Sequence, residues 1–350
     1  MNTAKSNYIL PLDIRKGCVE LSHGAGGRAM AQLIGELFGT AFANEYLAQG
    51  NDGAVLPAPQ GGRMVMTTDA HVVSPLFFPG GDIGCLAVHG TINDLAVMGA
   101  RPLWLAASFI LEEGLPLADL RRIVDSMADA ARAAGVRIVT GDTKVVERGK
   151  GDGVFITATG VGVVADGLEL GGNRARPGDA ILLSGTIGDH GMAVLSKREN
   201  LAFDAPIESD TAALHGLVAN MLASGADIHA MRDPTRGGLA TTLNEVAGQS
   251  GVGMVLDEAS IPLRPAVEAA CEFLGFDPLY VANEGKLVAI CAERDAVRLL
   301  AAMRAHPLGH ESAIIGTVQS DPHRFVQMKT RFGGCRIVDW LTGEQLPRIC

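Results

Sequence analysis

The apolar residues of this chain follow two periodicities, one typical of strands and one typical of helices. Short apolar runs predict strands at 64–69, 103–110, 136–140, 154–164, 180–185, 252–256, 286–291 and 312–318. Apolar residues spaced three and four positions apart predict helices at 28–38, 84–98, 120–134, 211–224, 237–248, 265–274 and 293–304. Because strands and helices alternate in both halves of the chain, the pattern predicts an α/β or α+β fold.

Glycine and polar residues mark the boundaries between these elements. The glycine-rich stretch 165–179 is the expected linker between two domains, which we assign to 21–165 and 166–330. Residues 1–20 form an extension without a readable motif, and residues 331–350 form a C-terminal tail. Asp119 and Gly135 are expected to cap and to end the helix between them. We expect a break in the strand at 141–144 and a loop at 188–191.

The overall composition narrows the classes of function. With a net charge of −10, the chain lacks the basic surface that a nucleic-acid groove needs. Its six cysteines include no C-x-x-C pair, so neither a zinc site nor a dithiol redox motif is indicated. The sequence contains no apolar leader and no run of about 18 apolar residues. We therefore expect a cytoplasmic protein that binds neither nucleic acid nor membranes.

Four aspartates in the first half carry the main chemical signal. Three of them border an apolar run, and each has glycine, threonine or asparagine beside it; they are Asp52, Asp69, Asp94 and Asp142. Because ligands gather at the strand ends of open sheets, these carboxylates are expected to converge. Carboxylates in one cleft stay ionised only when cations separate them, which indicates magnesium and a nucleotide. Taken singly, each aspartate is more often a turn residue or a helix cap.

Other loops hold groups that such a site could use. The loop 22–27 before the first helix is either a phosphate-binding loop or a plain turn. Lys144 could neutralise a transferring phosphoryl group. Asp233 is expected to cap a helix, and Arg236 could bind an anion. Glu284 lies in a loop, where a lone glutamate is usually solvated.

The chain ends on a cysteine, Cys350, after a proline at position 347. Counted from Trp340, ten residues at full extension reach roughly 33–36 Å, enough to cross a small domain or enter a neighbouring subunit. A thiol at that point is a mobile nucleophile, because a free cysteine is partly thiolate near neutral pH. The alternative is a disordered terminus without a role.

Seven short motifs together resemble the HypE family of hydrogenase maturation proteins. They are Asn-Asp-Gly-Ala-Val (51–55), Thr-Thr-Asp (67–69), Thr-Ile-Asn-Asp-Leu-Ala (91–96), Thr-Gly-Asp-Thr-Lys-Val (140–145), Arg-Asp-Pro-Thr-Arg-Gly-Gly (232–238), Asn-Glu-Gly (283–285) and Pro-Arg-Ile-Cys (347–350). The similarity covers about 21–350. Within the wider group of proteins similar to aminoimidazole ribonucleotide synthetase, called PurM-like, the terminal Pro-Arg-Ile-Cys is the discriminating motif.

The resemblance implies a two-domain α/β (α+β) fold of the PurM-like type, with a flexible C-terminal tail. Its first domain would bind ATP and Mg²⁺ and form a homodimer. Cys350 would carry the reacting group, and Lys144 and Glu284 would deprotonate it. The positions implied for nucleotide binding are Asp52, Asp69, Asn93, Asp94, Gly141, Asp142 and Thr143, with the four aspartates as the magnesium ligands.

The resemblance also implies a reaction and its partners. A HypF-like carbamoyltransferase would load Cys350, and the chain would dehydrate the carbamoyl group with ATP to a thiocyanate. The cyanide would pass to iron on a HypC–HypD complex for nickel-iron hydrogenase. One alternative is a PurM-like kinase or synthetase that activates an oxygen of a free small molecule, whose turnover would not need Cys350. Another is a nucleotide-sensing scaffold with a docking tail, which would consume no ATP.

Overall fold

The computed structural model describes residues 11–201, 203, 205–343 and 346–350. Predictions for residues 1–10 of the extension and for residues 344 and 345 of the tail lie outside the described residues. The described chain builds a four-stranded sheet from its first half and a seven-stranded sheet from its second half. A two-stranded ribbon is added to the first half.

The strands of the first half are β1 (Arg63–His71), β2 (Phe77–Phe78), β3 (Gly81–Asp82), β4 (Arg101–Glu112), β5 (Arg137–Val146) and β6 (Val154–Val164), and its helices are α1 (Arg28–Leu33), α2 (Gly39–Ala41), α3 (Ile83–Val97) and α4 (Leu117–Ala133). The four-stranded sheet has the strand order β1-β6-β4-β5, and the ribbon consists of β2 and β3. Helix α4 has one apolar stripe, formed by Leu120, Ile123 and Met127, which are all fully buried. The other face of the sheet is open, because polar residues alternate with partly exposed apolar ones there.

The second half covers both faces of the seven-stranded sheet, whose strand order is β13-β12-β9-β11-β7-β10-β8. Its strands are β7 (Ala180–Leu183), β8 (Ile228–Arg232), β9 (Gly253–Asp257), β10 (Val288–Cys291), β11 (Ala313–Gln319), β12 (Val326–Lys329) and β13 (Cys335–Ile337), and its helices are α5 (Asp189–Arg198), α6 (His215–Ala223), α7 (Gly238–Ser250), α8 (Pro265–Leu274) and α9 (Ala296–Arg304). Ile181 and Leu183 face one apolar core, and Ala180 and Leu182 face the other. This double burial explains the uninterrupted apolar run of β7.

Helix α3 lies between the two halves. It packs on β1 and β6 on one side and contacts α6 and β8 on the other. Its residues are buried around the whole helix, so it carries no polar stripe. Asn93 and Asp94 are therefore held in the interior, between the two sheets.

Several local predictions were wrong. Residues 141–144 do not break the strand, because β4 pairs with β5 from Thr140 through Lys144. Asp119 does not cap α4; the helix begins at Leu117 after Pro116, and Asp119 lies in its first turn. The predicted loop 188–191 contains the start of α5.

Two further predictions near the ligand-binding motifs also differ from the structure. Asp233 does not cap a helix, because α7 begins at Gly238 after a loop. The predicted tail begins too early, since residues 335–337 form β13 and pair with β12. The chain thus leaves the second sheet only after Ile337.

Candidate active site

The last residues of the chain pair with the segment that follows β1. The Val72 amide donates to the Cys350 carbonyl oxygen at 3.0 Å, and the Ser74 amide donates to the Arg348 carbonyl oxygen at 3.2 Å. Ile349 forms a bridge with Val73 and is 3% exposed. The tail therefore lies antiparallel to the segment that follows β1 and is joined to it by an isolated β-bridge.

This pairing holds the Cys350 thiol in a cleft of about 310 Å³ between the two halves, which Arg236 also lines. Burial, and next the Glu284 carboxyl group, raise the pKa of the Cys350 thiol well above its ordinary value. Arg236 opposes this effect, and Asp69 adds to it. The thiol is therefore neutral while the tail lies in the cleft, and a neutral thiol is a poor nucleophile.

The side chains of Asp210 and Asn93 hold the main chain of Glu284 in place. The Asp210 carboxylate accepts the amides of Glu284 at 3.0 Å and Gly285 at 3.2 Å, and it pairs with the Lys286 ammonium at 3.2 Å. The Asn93 amide group donates to the Glu284 carbonyl oxygen at 3.0 Å. Position 285 requires glycine, because a Cβ atom there would collide with the Asp210 carbonyl oxygen.

The Glu284 side chain itself has the environment of a proton acceptor. It is 4% exposed, and its Oε1 atom has no hydrogen-bond partner among the described residues. Burial raises the pKa of Glu284 well above its ordinary value, and the charges of Asp210 and Asp233 add to the effect. A carboxyl group whose pKa is raised binds a proton more strongly, which is the property that a general base needs.

Two of the four predicted aspartates lie together beside this group. Asp94 on α3 accepts a hydrogen bond from the Thr67 hydroxyl at 2.8 Å, and Asp69 on β1 lies 3.2 Å from His71. Burial opposes ionisation of Asp69, but the His71 side chain outweighs it and lowers the Asp69 pKa. Burial raises the pKa of Asp94, and the Asp69 charge contributes to the rise.

Asp233 joins the same group of carboxyls. Burial raises the pKa of Asp233 to about 7, and the charge of Asp94 contributes to the rise. The carboxyl groups of Asp94 and Asp233 therefore resist ionisation beside the charge of Asp69, which is the situation that a divalent cation relieves.

The other two predicted aspartates, Asp52 and Asp142, lie apart from this site in the folded structure. Strand registers align Asp142 with Ser108, Thr157 and Ala70, three strand spacings from β1, or about 14 Å. Its side chain lies on the open face of the sheet, 2.6 Å from Lys144, whereas Asp69 points to the helical face. Asp52 is exposed in the segment before β1. Across the described residues, no three His, Cys, Asp or Glu side chains are close enough to hold a metal.

Residues near Asp142 form a separate cavity at the edge strand β5. It measures about 180 Å³ and is lined by Gly141, Asp142 and Thr143 together with Phe38 and Phe42. The ring centroids of Phe38 and Phe109 are 4.8 Å apart. Asn93, by contrast, faces no open space, because it donates both to Glu284 and to the Ala212 carbonyl oxygen.

Comparison with known proteins decides the family. The model for the N-terminal domain of AIR synthase related proteins matches residues 50–164, and the model for their C-terminal domain matches residues 176–329. The chain is 71% identical to the carbamoyl dehydratase HypE of Cupriavidus necator, over 99% of each chain. The chain belongs to the HypE family. The resemblance and the two-domain PurM-like fold predicted from the sequence are thereby confirmed.

Solved HypE structures share this architecture. A HypE solved in complex with ATP is 51% identical, covers 94% of this chain and 99% of its own, and superposes with a TM-score of 0.91. A HypE solved in a HypE–HypF complex is 49% identical, covers 88% of this chain and 99% of its own, and gives a TM-score of 0.78. As a HypE protein, the chain is a carbamoyl dehydratase of hydrogenase maturation. In the described part of the chain, no helix has the length and apolar content to cross a membrane.

The sequence did not indicate several residues around the HypE site. Asp210 precedes a predicted helix and has the signature of an ordinary cap. Asp233 was expected only as a cap, and His71 lies at a strand end with no motif around it. His190 was assigned to a loop. Asp210, Asp233 and His190 acquire their neighbours through contacts that are distant in sequence, so no local pattern marks them.

Proposed function

We propose that this chain dehydrates a carbamoyl group carried on Cys350 to a thiocyanate, with ATP as the activating co-substrate. The cyanide formed in this way supplies the iron centre of nickel-iron hydrogenase. The observation that carries the proposal is the C-terminal thiol, held beside the buried carboxyl group of Glu284, whose Oε1 atom has no hydrogen-bond partner among the described residues. In this reaction the amide oxygen leaves as phosphate and the amide nitrogen gives up two protons, so a proton acceptor must lie next to the sulfur-bound carbon.

Glu284 is the proton acceptor in this proposal. Its raised pKa provides the required basicity, and the Asp210 and Asn93 contacts keep its backbone fixed. Arg236 lines the same cleft and offers a cation for the departing phosphate. Because the tail and both halves of the chain enclose the thiol, the cleft also limits the access of water to an activated amide.

We propose that magnesium and the nucleotide bind beside these carboxyl groups, because magnesium is commonly held by one or two carboxylates together with water and nucleotide phosphates. Asp69 and Asp94 would hold Mg²⁺, because their mutual repulsion and that of Asp233 favour a divalent cation between them. When bound, the ion neutralises the charge of the nucleotide phosphates. Gly141, Asp142 and Thr143 line a cavity with aromatic walls that suits an adenine ring. Asp52, which is exposed, keeps its proposed nucleotide-binding role, whereas Asn93 would act indirectly, by holding the Glu284 backbone. A HypE protein with 51% identity was solved with ATP, which supports this part of the proposal.

We further propose that the chain acts as a homodimer through the open face of the first sheet. Met64 and Met66 are 63% and 70% exposed on this face, and Ile110 is 42% exposed. Apolar side chains in such a cluster are typical of a subunit interface. Lys144 lies on the same face and far from Cys350 of its own chain, so its proposed role in deprotonation requires the second copy.

Cys350 receives its carbamoyl group while the tail is outside the cleft. A thiol whose pKa is raised by burial cannot attack a carbamoyl donor efficiently, so Cys350 is loaded outside the cleft. The proposed donor is a HypF-like carbamoyltransferase, supported by a solved HypE–HypF complex with 49% identity. The proposed acceptor of the cyanide is a HypC–HypD complex.

Intact-mass measurement tests the proposed reaction. The purified chain is incubated with carbamoyl phosphate, the carbamoyltransferase and ATP, and then with ATP alone. We expect the mass of one carbamoyl group to be gained, followed by loss of one water. Cys350→Ala is expected to show neither change and to keep ATP binding, whereas Cys335→Ala, at an exposed cysteine, is expected to behave like the parent. A mass gain in Cys350→Ala would contradict the proposal.

Mixed dimers test the proposed origin of Lys144. Neither Cys350→Ala nor Lys144→Ala is expected to dehydrate as a pure dimer. Mixed dimers are expected to recover part of the activity, because one site combines an intact thiol with an intact lysine from the other chain. A mixture without recovered activity would contradict the shared site.

A further inference from the structure

We propose that helix α5 fixes the register of the C-terminal tail, with His190 and Arg198 as positioning residues for Cys350. We call these two side chains the tail clamp. The inference deepens the proposed function, because it names what sets the thiol beside Glu284. It rests on main-chain contacts of the last three residues, which the sequence motif at the C-terminus does not explain.

A main-chain oxygen of each of the last three residues accepts a hydrogen bond. The Arg348 oxygen accepts from the Ser74 amide and from Arg198 Nη2, the latter at 2.7 Å. The Ile349 oxygen accepts from His190 Nε2 at 2.7 Å. The Cys350 oxygen accepts from the Val72 amide at 3.0 Å. Because these contacts involve backbone atoms, they fix the position of the chain end rather than recognise its side chains.

His190 is built into this arrangement. It is fully buried, and the edge of its ring contacts Phe78 at 5.4 Å between centroids. Burial lowers the pKa of His190, so the ring is neutral. Since the Ile349 carbonyl oxygen can only accept, Nε2 carries the proton and Nδ1 accepts from the Ser209 hydroxyl at 2.8 Å. Both ring nitrogens are thus hydrogen-bonded, Nδ1 to Ser209 and Nε2 to the tail.

Arg198 lies eight residues farther along α5, or about 12 Å along the helix axis. Its Nε atom donates to the Ser74 carbonyl oxygen at 2.7 Å, while its Nη2 atom donates to Arg348. One guanidinium group therefore joins the segment after β1 to the tail. The fork geometry of arginine suits this double contact, which a lysine could not reproduce.

The tail clamp restricts the position of the Cys350 thiol. If the tail shifted by one residue along the segment that follows β1, the thiol would move by about 3.3 Å and point in the opposite direction. The donors of the tail clamp occupy fixed positions on a helix, so they favour one register. In this register the thiol faces Glu284.

The rate of alkylation of Cys350 tests the proposal without ATP or any partner. The chain is treated with iodoacetamide, and the modification of the C-terminal peptide is followed by mass spectrometry. Removing a buried donor leaves a tail carbonyl without a partner, so we expect His190→Leu and Arg198→Met each to raise the alkylation rate of Cys350 about tenfold. His190→Gln retains an N–H donor near the Nε2 position and is expected to stay within about threefold of the parent.

Matched controls separate tail release from general loosening. Arg304 also donates to a carbonyl oxygen, that of Ser312, and Arg304→Met is expected to leave the Cys350 rate unchanged. The exposed Cys18 and Cys335 serve as internal standards whose rates should not move. Melting temperatures identify any variant that fails to fold, in which case the other clamp variant carries the test.

The outcomes distinguish this proposal from the proposed function. Failure of the dehydration reaction in the parent chain leaves the alkylation result unaffected, because that measurement needs no turnover. If dehydration occurs, the clamp variants are expected to load carbamoyl at least as fast as the parent, because their tail leaves the cleft more often, and to dehydrate it more slowly. Alkylation of Cys350 at the parent rate in both His190→Leu and Arg198→Met would overturn the tail clamp.

Discussion

Replacing Glu284 by glutamine removes the proposed proton acceptor while keeping the shape of the side chain. The structure predicts two effects of different sign. Catalysis should fall, because glutamine cannot accept the proton, and general-base catalysis typically contributes about 10²–10⁴-fold. Stability above the raised pKa should rise, because glutamine stays neutral there, whereas the parent must ionise a buried carboxyl group whose Oε1 atom has no hydrogen-bond partner in the described part of the chain.

The pH dependence of stability follows from the raised pKa of Glu284. The folded chain binds the proton more tightly than the unfolded chain, so the parent loses stability as the pH rises from the ordinary glutamate range through the raised pKa. Glu284→Gln lacks this loss. We therefore expect equal stability of the two proteins in acid and a gain of about 1–3 kcal/mol for the variant above the raised pKa, the cost of an unsatisfied buried group.

Two assays check these effects. Single-turnover dehydration of the carbamoylated chain, followed by intact mass, should show the loss of rate while carbamoyl loading remains at the parent level. Urea unfolding at several pH values should show the two stability curves diverging toward alkaline pH. Glu311→Gln, at a 55% exposed side chain, is the matched control and should change neither quantity. Dehydration of Glu284→Gln at the parent rate would refute the assignment of the base.

Three other predictions follow from packing and charge. Gly90→Ala should destabilise the fold by about 1–3 kcal/mol in urea unfolding, because its Cβ would lie 2.9 Å from an imidazole nitrogen and 3.2 Å from a carboxylate oxygen, whereas Gly35→Ala, with open space, should not. Met66→Glu should shift the chain to monomer in sedimentation velocity, while Phe273→Glu, at a 78% exposed side chain on α8, should leave the assembly unchanged. Asp210→Asn should slow single-turnover dehydration about tenfold or more without affecting carbamoyl loading, since it weakens the contacts that hold the catalytic loop; an unchanged rate would contradict that role.

The sequence by itself determined most of the regular elements. The strand predicted at 154–164 and the helix predicted at 265–274 have these bounds in the structure. Both carry strong local signals, because an apolar run defines the strand, and proline at the first position and glycine after the last define the helix. The motifs likewise identified the family, since their residue types and spacing are written directly in the chain.

The sequence could not predict where elements persist or begin against local signals. Glycine, aspartate and threonine at 141–144 favour a turn, yet pairing with β4 keeps these residues extended. Residues 188–191 favour a loop, yet the packing of α5 against the rest of the second half makes residues 189–191 helical. In both cases contacts with other elements contribute more than local propensity.

Only the tertiary structure decided how the site is assembled. Asp69 and Asp94 meet because α3 packs on β1, whereas Asp142 turns to the other face because side chains alternate along a strand. His190 and Ile349 lie 159 positions apart in the chain, and Asp210 lies 74 positions from Glu284. Pattern and propensity act over a few neighbouring residues, so a buried group whose partners come from distant segments acquires its chemistry only when the chain is folded.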